Sequence, residues 1–85
     1  MNVKIEIPEY TTVNGFRYNW ELGFEIKTKV DNGLITISAN KEGLVSLANH
    51  LLNLAQENIP SKFHLHLDNS NSLEVGSVDL IIEKT

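Results

Sequence analysis

The sequence predicts an α+β domain in which one amphipathic helix packs on one face of a single, mostly antiparallel β-sheet. The sheet is expected to have five or six strands, and the order of elements is β-β-β-β-α-β-β. Two patterns lead to this prediction: apolar and polar residues alternate in several short segments, and one segment repeats its apolar residues with a helical period. With 85 residues, the chain has room for one domain, which we expect to span residues 1–85.

The composition excludes several classes of protein. A hydrophobic content of 41% with 21% charged residues argues against disorder, and the absence of cysteine excludes disulfides and thiolate zinc sites. No apolar run approaches the roughly 20 residues that cross a bilayer, and no secretion signal is recognisable at the start. The net charge of −4 disfavours nucleic acid and anionic lipid as partners. We therefore expect a cytoplasmic protein without a nucleic-acid or membrane partner.

Alternating residues predict the first strands. Residues 3–7 alternate apolar and polar side chains and are followed by Pro8, which predicts a short strand and then a loop. Residues 16–30 continue the alternation for fifteen positions. A straight strand of that length would span about 50 Å, so we expect it to bend near Gly23. The prediction is therefore two strands, at about 16–20 and 23–30.

A hairpin is predicted at Asn32-Gly33, because this dipeptide favours the tight turns that join antiparallel strands. A two-residue turn there would place apolar side chains opposite one another on one face. The turn and the apolar pattern therefore predict the same register. The predicted cross-strand pairs are Val30–Ile35, Thr28–Ile37 and Ile26–Ala39.

One amphipathic helix is predicted from about residue 41 to 58, with Asn40 as its N-cap and Pro60 beyond its end. Its apolar stripe is expected to lie on the sheet and consists of Leu44, Leu47, Ala48, Leu51, Leu54 and Ala55. The opposite side carries polar residues, His50 among them. Two further strands, at about 63–68 and 78–83, complete the predicted sheet.

The run from His64 to Asp68 is the most notable candidate site. On a strand, residues two apart point to the same face, so His64, His66 and Asp68 would project together. Two histidines and a carboxylate can bind zinc, and Asp79 and Glu83 could join them from the last strand. The alternative is that these side chains simply face water on the open side of the sheet.

The aromatic residues at positions 16, 18, 20 and 24 share the spacing of the predicted core face, which favours a core role. If the chain twists at Gly23, Trp20 beside Glu21 would instead be a natural anchor for a protein partner. The sequence contains no nucleophile elbow, phosphate-binding loop or dinucleotide fingerprint. We therefore expect no enzymatic activity and no cofactor.

Several segments resemble one bacterial family. The segments at residues 37–44, 47–55 and 64–68, together with 73–77 and 80–83, are similar in order and character to the immunity protein 32 family of polymorphic toxin systems. The resemblance implies a cytoplasmic antidote that binds a cognate toxin stoichiometrically and catalyses nothing. A basic nuclease is one class of toxin that an acidic protein could inhibit.

Under this interpretation, the candidate contacts are acidic, aromatic and histidine side chains. They are Trp20, Glu21, His64, His66, Asp68, Asp79 and Glu83. A metal-binding domain that uses His64, His66 and Asp68 is the alternative function. The protein is expected to be a monomer or a weak homodimer, and an uncovered sheet edge would be the means of pairing two copies.

Overall fold

The computed structural model describes residues 1–85 and contains one α-helix and two separate two-stranded antiparallel sheets. The elements are β1 (Ile26–Asp31), β2 (Leu34–Ala39), α1 (Lys41–Leu54), β3 (His64–Leu67) and β4 (Leu80–Glu83). The predicted α+β class fits this arrangement, whereas the predicted single sheet of five or six strands is wrong. The structure contains no helix that combines the length and the apolar character needed to span a membrane.

The β1–β2 hairpin has the predicted register. Asn32 and Gly33 have φ angles of 50° and 77°, the positive values that a type I′ turn requires. Asn and Gly tolerate these angles best, so the turn forms where the sequence places them. The three predicted pairs are all present: Ile26–Ala39, Thr28–Ile37 and Val30–Ile35.

The outer edge of β1 contacts residues 74–78, but a continuous ladder does not form there. The Glu74 N–H donates to the Ile26 carbonyl at 2.9 Å, and the Val78 N–H donates to the Thr28 carbonyl at 3.2 Å. The Thr28 N–H donates instead to the Ser77 hydroxyl, at 3.1 Å. Because a side chain takes the place of a backbone acceptor, this junction does not join β1 to β4 in one sheet.

Residues 1–25 form no regular strand, so the strands predicted at 3–7 and 16–20 are wrong. Their one β-bridge joins Thr11 and Gly15 across a turn. The rest of the segment lies against α1, where helix side chains bond its main-chain groups. The aromatic rings at positions 16, 18 and 20 lie on one side, against His50 of the helix, whereas Leu22 of the same alternating set is 97% exposed.

The main-chain groups of this segment are bound by polar side chains that recur at helical spacing through and just beyond α1. We call Ser46, Asn49, His50, Asn53 and Gln56 the polar stripe. Three members of the stripe accept N–H groups of the segment: Ser46 Oγ from Glu21 (2.8 Å), His50 Nε2 from Asn19 (3.2 Å) and Gln56 Oε1 from Tyr10 (3.0 Å). Gln56 Nε2 also donates to the Pro8 carbonyl, at 3.1 Å.

The helix begins at its predicted N-cap but ends at Leu54, earlier than predicted. Its orientation also differs from the prediction, because His50 is completely buried while Leu44 is 55% exposed. The physical reason is that the N-terminal segment covers the polar side of α1. Burial of that side is possible because its polar atoms, apart from His50 Nδ1, form hydrogen bonds within the protein.

The core consists of two apolar clusters that α1 and β3 connect. One contains Ile26, Leu47, Leu67 and Leu73, and the other contains Leu54, Ile59 and Leu65. The start of α1 approaches β1 so closely that only glycine fits at position 43. A Cβ atom at Gly43 would lie 2.5 Å from the Glu25 carbonyl oxygen and 2.9 Å from Ile26 Cγ1.

We predict that Asn40→Ala lowers the free energy of unfolding by about 1–2 kcal/mol. Asn40 Oδ1 accepts the N–H groups of both Gly43 (2.8 Å) and Glu25 (3.0 Å), and its Nδ2 donates to the Gly23 carbonyl. Urea unfolding monitored by circular dichroism measures the loss. Asn40→Ser keeps a capping oxygen and is the control, so equal losses in the two variants would contradict the role of the side-chain acceptor.

Candidate functional site

The β3–β4 hairpin has one apolar face in the core and one polar face toward solvent. Leu65 and Leu67 are buried, whereas His64 and His66 between them are exposed. The cross-strand pairs are His64–Glu83, Leu65–Ile82, His66–Ile81 and Leu67–Leu80. We call the exposed side, together with the acidic residues at its end, the β3–β4 face; it comprises His64, His66, Asp68, Asp79, Ile81 and Glu83.

A histidine–aspartate hydrogen bond lies at the centre of this face. His66 Nε2 is 2.9 Å from Asp79 Oδ2. Asp79 lies two residues before Ile81, the residue directly opposite His66. About half of the His66 side chain is exposed, so the pair stabilises the fold by at most about 1 kcal/mol. Its main effect is to hold an imidazole and a carboxylate in fixed positions on the surface.

Asp68 is held in place by the turn that follows β3. Its Oδ1 accepts the N–H groups of Ser70 (2.8 Å) and Asn71 (3.1 Å). The Asn71 side chain in turn accepts the Asp68 N–H and donates to the His66 carbonyl. One ligand atom from each of His66, Asp68 and Asp79 lies within 4.8 Å of the others, so these three could hold a divalent cation.

The structure therefore changes the predicted metal set. His64 points to the same face as His66 but lies outside the group that converges, and its Nδ1 is 3.3 Å from the Lys62 carbonyl. Asp79 takes the third place, because the antiparallel register brings the start of β4 beside His66. Glu83 is opposite His64 at the other end of the hairpin.

The two remaining candidate contacts lie elsewhere. Trp20 is half-buried and stacks on Phe24 with ring centroids 4.4 Å apart; it also lines a cavity of about 130 Å³ that reaches Asn71. Glu21 is exposed and borders a separate cleft beside the start of α1. The structure therefore brings Trp20 next to the turn at the end of the β3–β4 face, but it does not bring Glu21 there.

His50 is the buried ionisable residue that the sequence pattern did not reveal. The Trp20 ring meets its imidazole edge-on at 4.3 Å, and Tyr18 does so at 5.2 Å. Burial lowers the pKa of His50 from 6.5 to about 4, so the imidazole is neutral at pH 7. Because Nε2 accepts the Asn19 N–H, the proton of the neutral ring is on Nδ1, which has no hydrogen-bond partner.

Comparison with known proteins identifies the class as an immunity protein, which is not an enzyme class. A family model described as Immunity protein 32 matches residues 35–85, from β2 through β4. The chain belongs to the Immunity protein 32 family. No curated protein and no solved structure shows significant similarity to the chain.

We predict that the free energy of unfolding falls by about 2–3 kcal/mol more in the wild type than in His50→Gln as the pH drops from 7 to 4.5. The unfolded chain protonates His50 near pH 6.5, whereas the folded chain does so only near pH 4, so the unfolded state binds the proton first. Urea unfolding at both pH values measures the difference. His50→Gln keeps an acceptor for Asn19, and an equal loss in both proteins would contradict the prediction.

Proposed function

We propose that this chain is a cytoplasmic immunity protein that neutralises a cognate polymorphic-toxin domain by binding it in a stoichiometric complex. The observation that carries the proposal is the family match over residues 35–85. That segment contains the complete β3–β4 hairpin, whereas Trp20 and Glu21 precede it. The β3–β4 face is therefore the part of the candidate site that the matched segment itself provides.

The β3–β4 face has the physical character of a recognition surface. His66 and Asp79 are bonded to each other and Asp68 is bonded by its turn, so these three side chains would lose little conformational freedom on binding. Ile81 is exposed among the polar residues and offers an apolar contact. A rigid polar surface with an apolar centre resembles the organisation of protein interfaces.

Charge indicates the kind of surface that would fit. The face carries three carboxylates, at positions 68, 79 and 83, and no lysine or arginine. The whole chain has a net charge of −4, which would accelerate encounter with a basic toxin surface. A standard interface of about 800 Å² per partner would cover roughly an eighth of the 5970 Å² that the chain exposes. The interface would therefore extend beyond the hairpin, and the turn at Asn71 and the Trp20 cavity adjoin it.

Binding of a divalent cation is a second candidate function, favoured by the convergence of His66, Asp68 and Asp79. Zinc accepts imidazole nitrogen and carboxylate oxygen as ligands. His66 Nε2 now bonds Asp79, so a metal ion would replace that hydrogen bond with two coordinate bonds. The second Asp68 oxygen, which the turn does not use, would complete a three-residue site.

We predict that the toxin domain encoded by the adjacent gene forms a 1:1 complex with this chain and that co-expression restores growth. The variant Asp79→Lys/Glu83→Lys should weaken the complex about 10–100-fold, since it reverses the charge of the β3–β4 face. Titration calorimetry measures the affinity. The control is Glu6→Lys/Glu9→Lys, which makes the same change in net charge at exposed positions outside the matched segment.

The outcomes separate the parts of this proposal. No complex and no rescue with the wild-type chain would overturn the immunity mechanism. A complex that both variants weaken equally would show a dependence on net charge alone. A complex that the β3–β4 variant leaves unchanged would place the toxin on another surface.

For the second function, we predict that Zn²⁺ binds the untagged protein with 1:1 stoichiometry and raises its melting temperature, because the ion binds only the folded arrangement. His66→Gln should abolish both effects. His64→Gln is the matched control, since it removes the neighbouring exposed imidazole from the same face and should change neither. Absence of calorimetric heat and of a melting shift in the wild type would reject the metal site.

A further inference from the structure

The outer edge of β2 is open. The backbone groups of Ile26 and Thr28 point away from β2, as their bonds to residues 74–78 show. In an antiparallel pair, residues directly opposite each other direct their backbone groups either both inward or both outward. Ile37, opposite Thr28, and Ile35, two residues before it, therefore direct their N–H and C=O groups outward from the sheet. No backbone or side-chain hydrogen bond from the rest of the chain reaches them.

This edge also lacks the features that keep edge strands apart. The strand sequence from Leu34 to Ala39 contains no charged residue and no proline. Leu34 is 70% exposed and Ile35 is 73% exposed, so both apolar side chains and backbone groups face solvent. An apolar edge with free hydrogen-bonding groups is a template for another strand.

We propose that β2 pairs with β2 of a second copy of this chain, antiparallel across a two-fold axis at Thr36. This register places Ile35 opposite Ile37 of the other copy in both halves of the pair. It forms four backbone hydrogen bonds and joins the two hairpins into one four-stranded sheet. Thr36 faces its own equivalent, and Thr–Thr and Ile–Ile are favourable cross-strand pairs.

The symmetry of the strand sequence favours a second copy as the occupant, because Ile35 and Ile37 flank Thr36 and lie opposite each other across the axis. Two chains with a net charge of −4 repel each other over most of their surfaces, but β2 has no charge at which this repulsion would act at close range. The nearest charged side chains of the hairpin are on β1, one strand away from the new pair. The register therefore pairs isoleucine with isoleucine on both sides of Thr36 and places Leu34 opposite Ser38 at each end.

Geometry limits the pairing to about five residues. Beyond Ala39, the Asn40 N–H donates to the Glu25 carbonyl and the chain enters α1 at Lys41. A strand of this length buries less than the roughly 800 Å² per partner of a standard interface, so the dimer is weak and depends on protein concentration. The β3–β4 face belongs to the other hairpin and stays accessible, so this inference does not depend on the proposed function.

The test uses Thr36→Glu on the full chain. Within one chain, the introduced carboxylate would lie opposite Lys29 and form a favourable pair, so the fold is retained. In the dimer, this carboxylate would meet its own equivalent across the axis, and repulsion should raise the dimer dissociation constant at least about tenfold. Thr12→Glu, at an exposed position in the N-terminal turn, is the matched control and should leave the dimer unchanged.

Sedimentation equilibrium over a range of micromolar to millimolar concentrations measures the association, and hydrogen exchange locates it. The amides of Ile35 and Ile37 should become protected as concentration rises in the wild type and in Thr12→Glu, but not in Thr36→Glu. A monomer at all concentrations, or a dimer that Thr36→Glu leaves intact, would overturn the proposal. Protection of these amides only after a toxin domain is added would assign the edge to a toxin strand and equally overturn it.

Discussion

The fold depends on the contact between the polar stripe of α1 and the main chain of the first 25 residues. Ser46, His50 and Gln56 accept N–H groups from three points of that segment, 2.8–3.2 Å away. These bonds allow the polar side of a helix to be buried and bring the aromatic rings at positions 16, 18 and 20 around His50. Without these bonds, the backbone groups of the segment would have no partner, because no strand lies beside it. The helix would then expose its polar stripe.

The two hairpins differ in how much of their length packs against the rest of the protein. The β1–β2 hairpin is anchored at one end, where Asn40 and Gly43 join the start of α1 to β1, and its other end extends into solvent. The β3–β4 hairpin lies on the core along its whole length through Leu65 and Leu67. Its outer face is therefore rigid, whereas the tip of the β1–β2 hairpin has exposed apolar side chains with nothing packed against them.

Local signals in the sequence were sufficient for the elements whose partners are close in the chain. The β1–β2 register followed from Asn32-Gly33 and the alternation around it, and the N-cap followed from Asn40. The exposure of His64 and His66 followed from the two-residue period of a strand. The number of sheets and the burial of His50 did not follow, because both depend on a segment that binds helix side chains 25–48 residues away. Side-chain period alone does not distinguish an extended segment beside a helix from a strand in a sheet.

Contacts between residues far apart in the sequence also explain which site residues were predicted correctly and which were not. The prediction that His66 and Asp68 share a face needed only one strand, but the choice of Asp79 as their neighbour needed the β3–β4 register. His64 is on the predicted face, but it lies too far along the strand to join the group of His66, Asp68 and Asp79. The aromatic spacing around residue 20 favoured a core role for Trp20, but its contact with His50, 30 residues away, could not be read from that local pattern.

Recognition of the N-terminal segment through its peptide groups has a consequence for its tolerance to substitution. A helix that binds amides and carbonyls tolerates many side chains at the positions it contacts, provided that a few aromatic residues still fill the space around His50. Substitution of outward-facing side chains in residues 1–25 should therefore leave the architecture intact, because the helix holds this segment by its backbone.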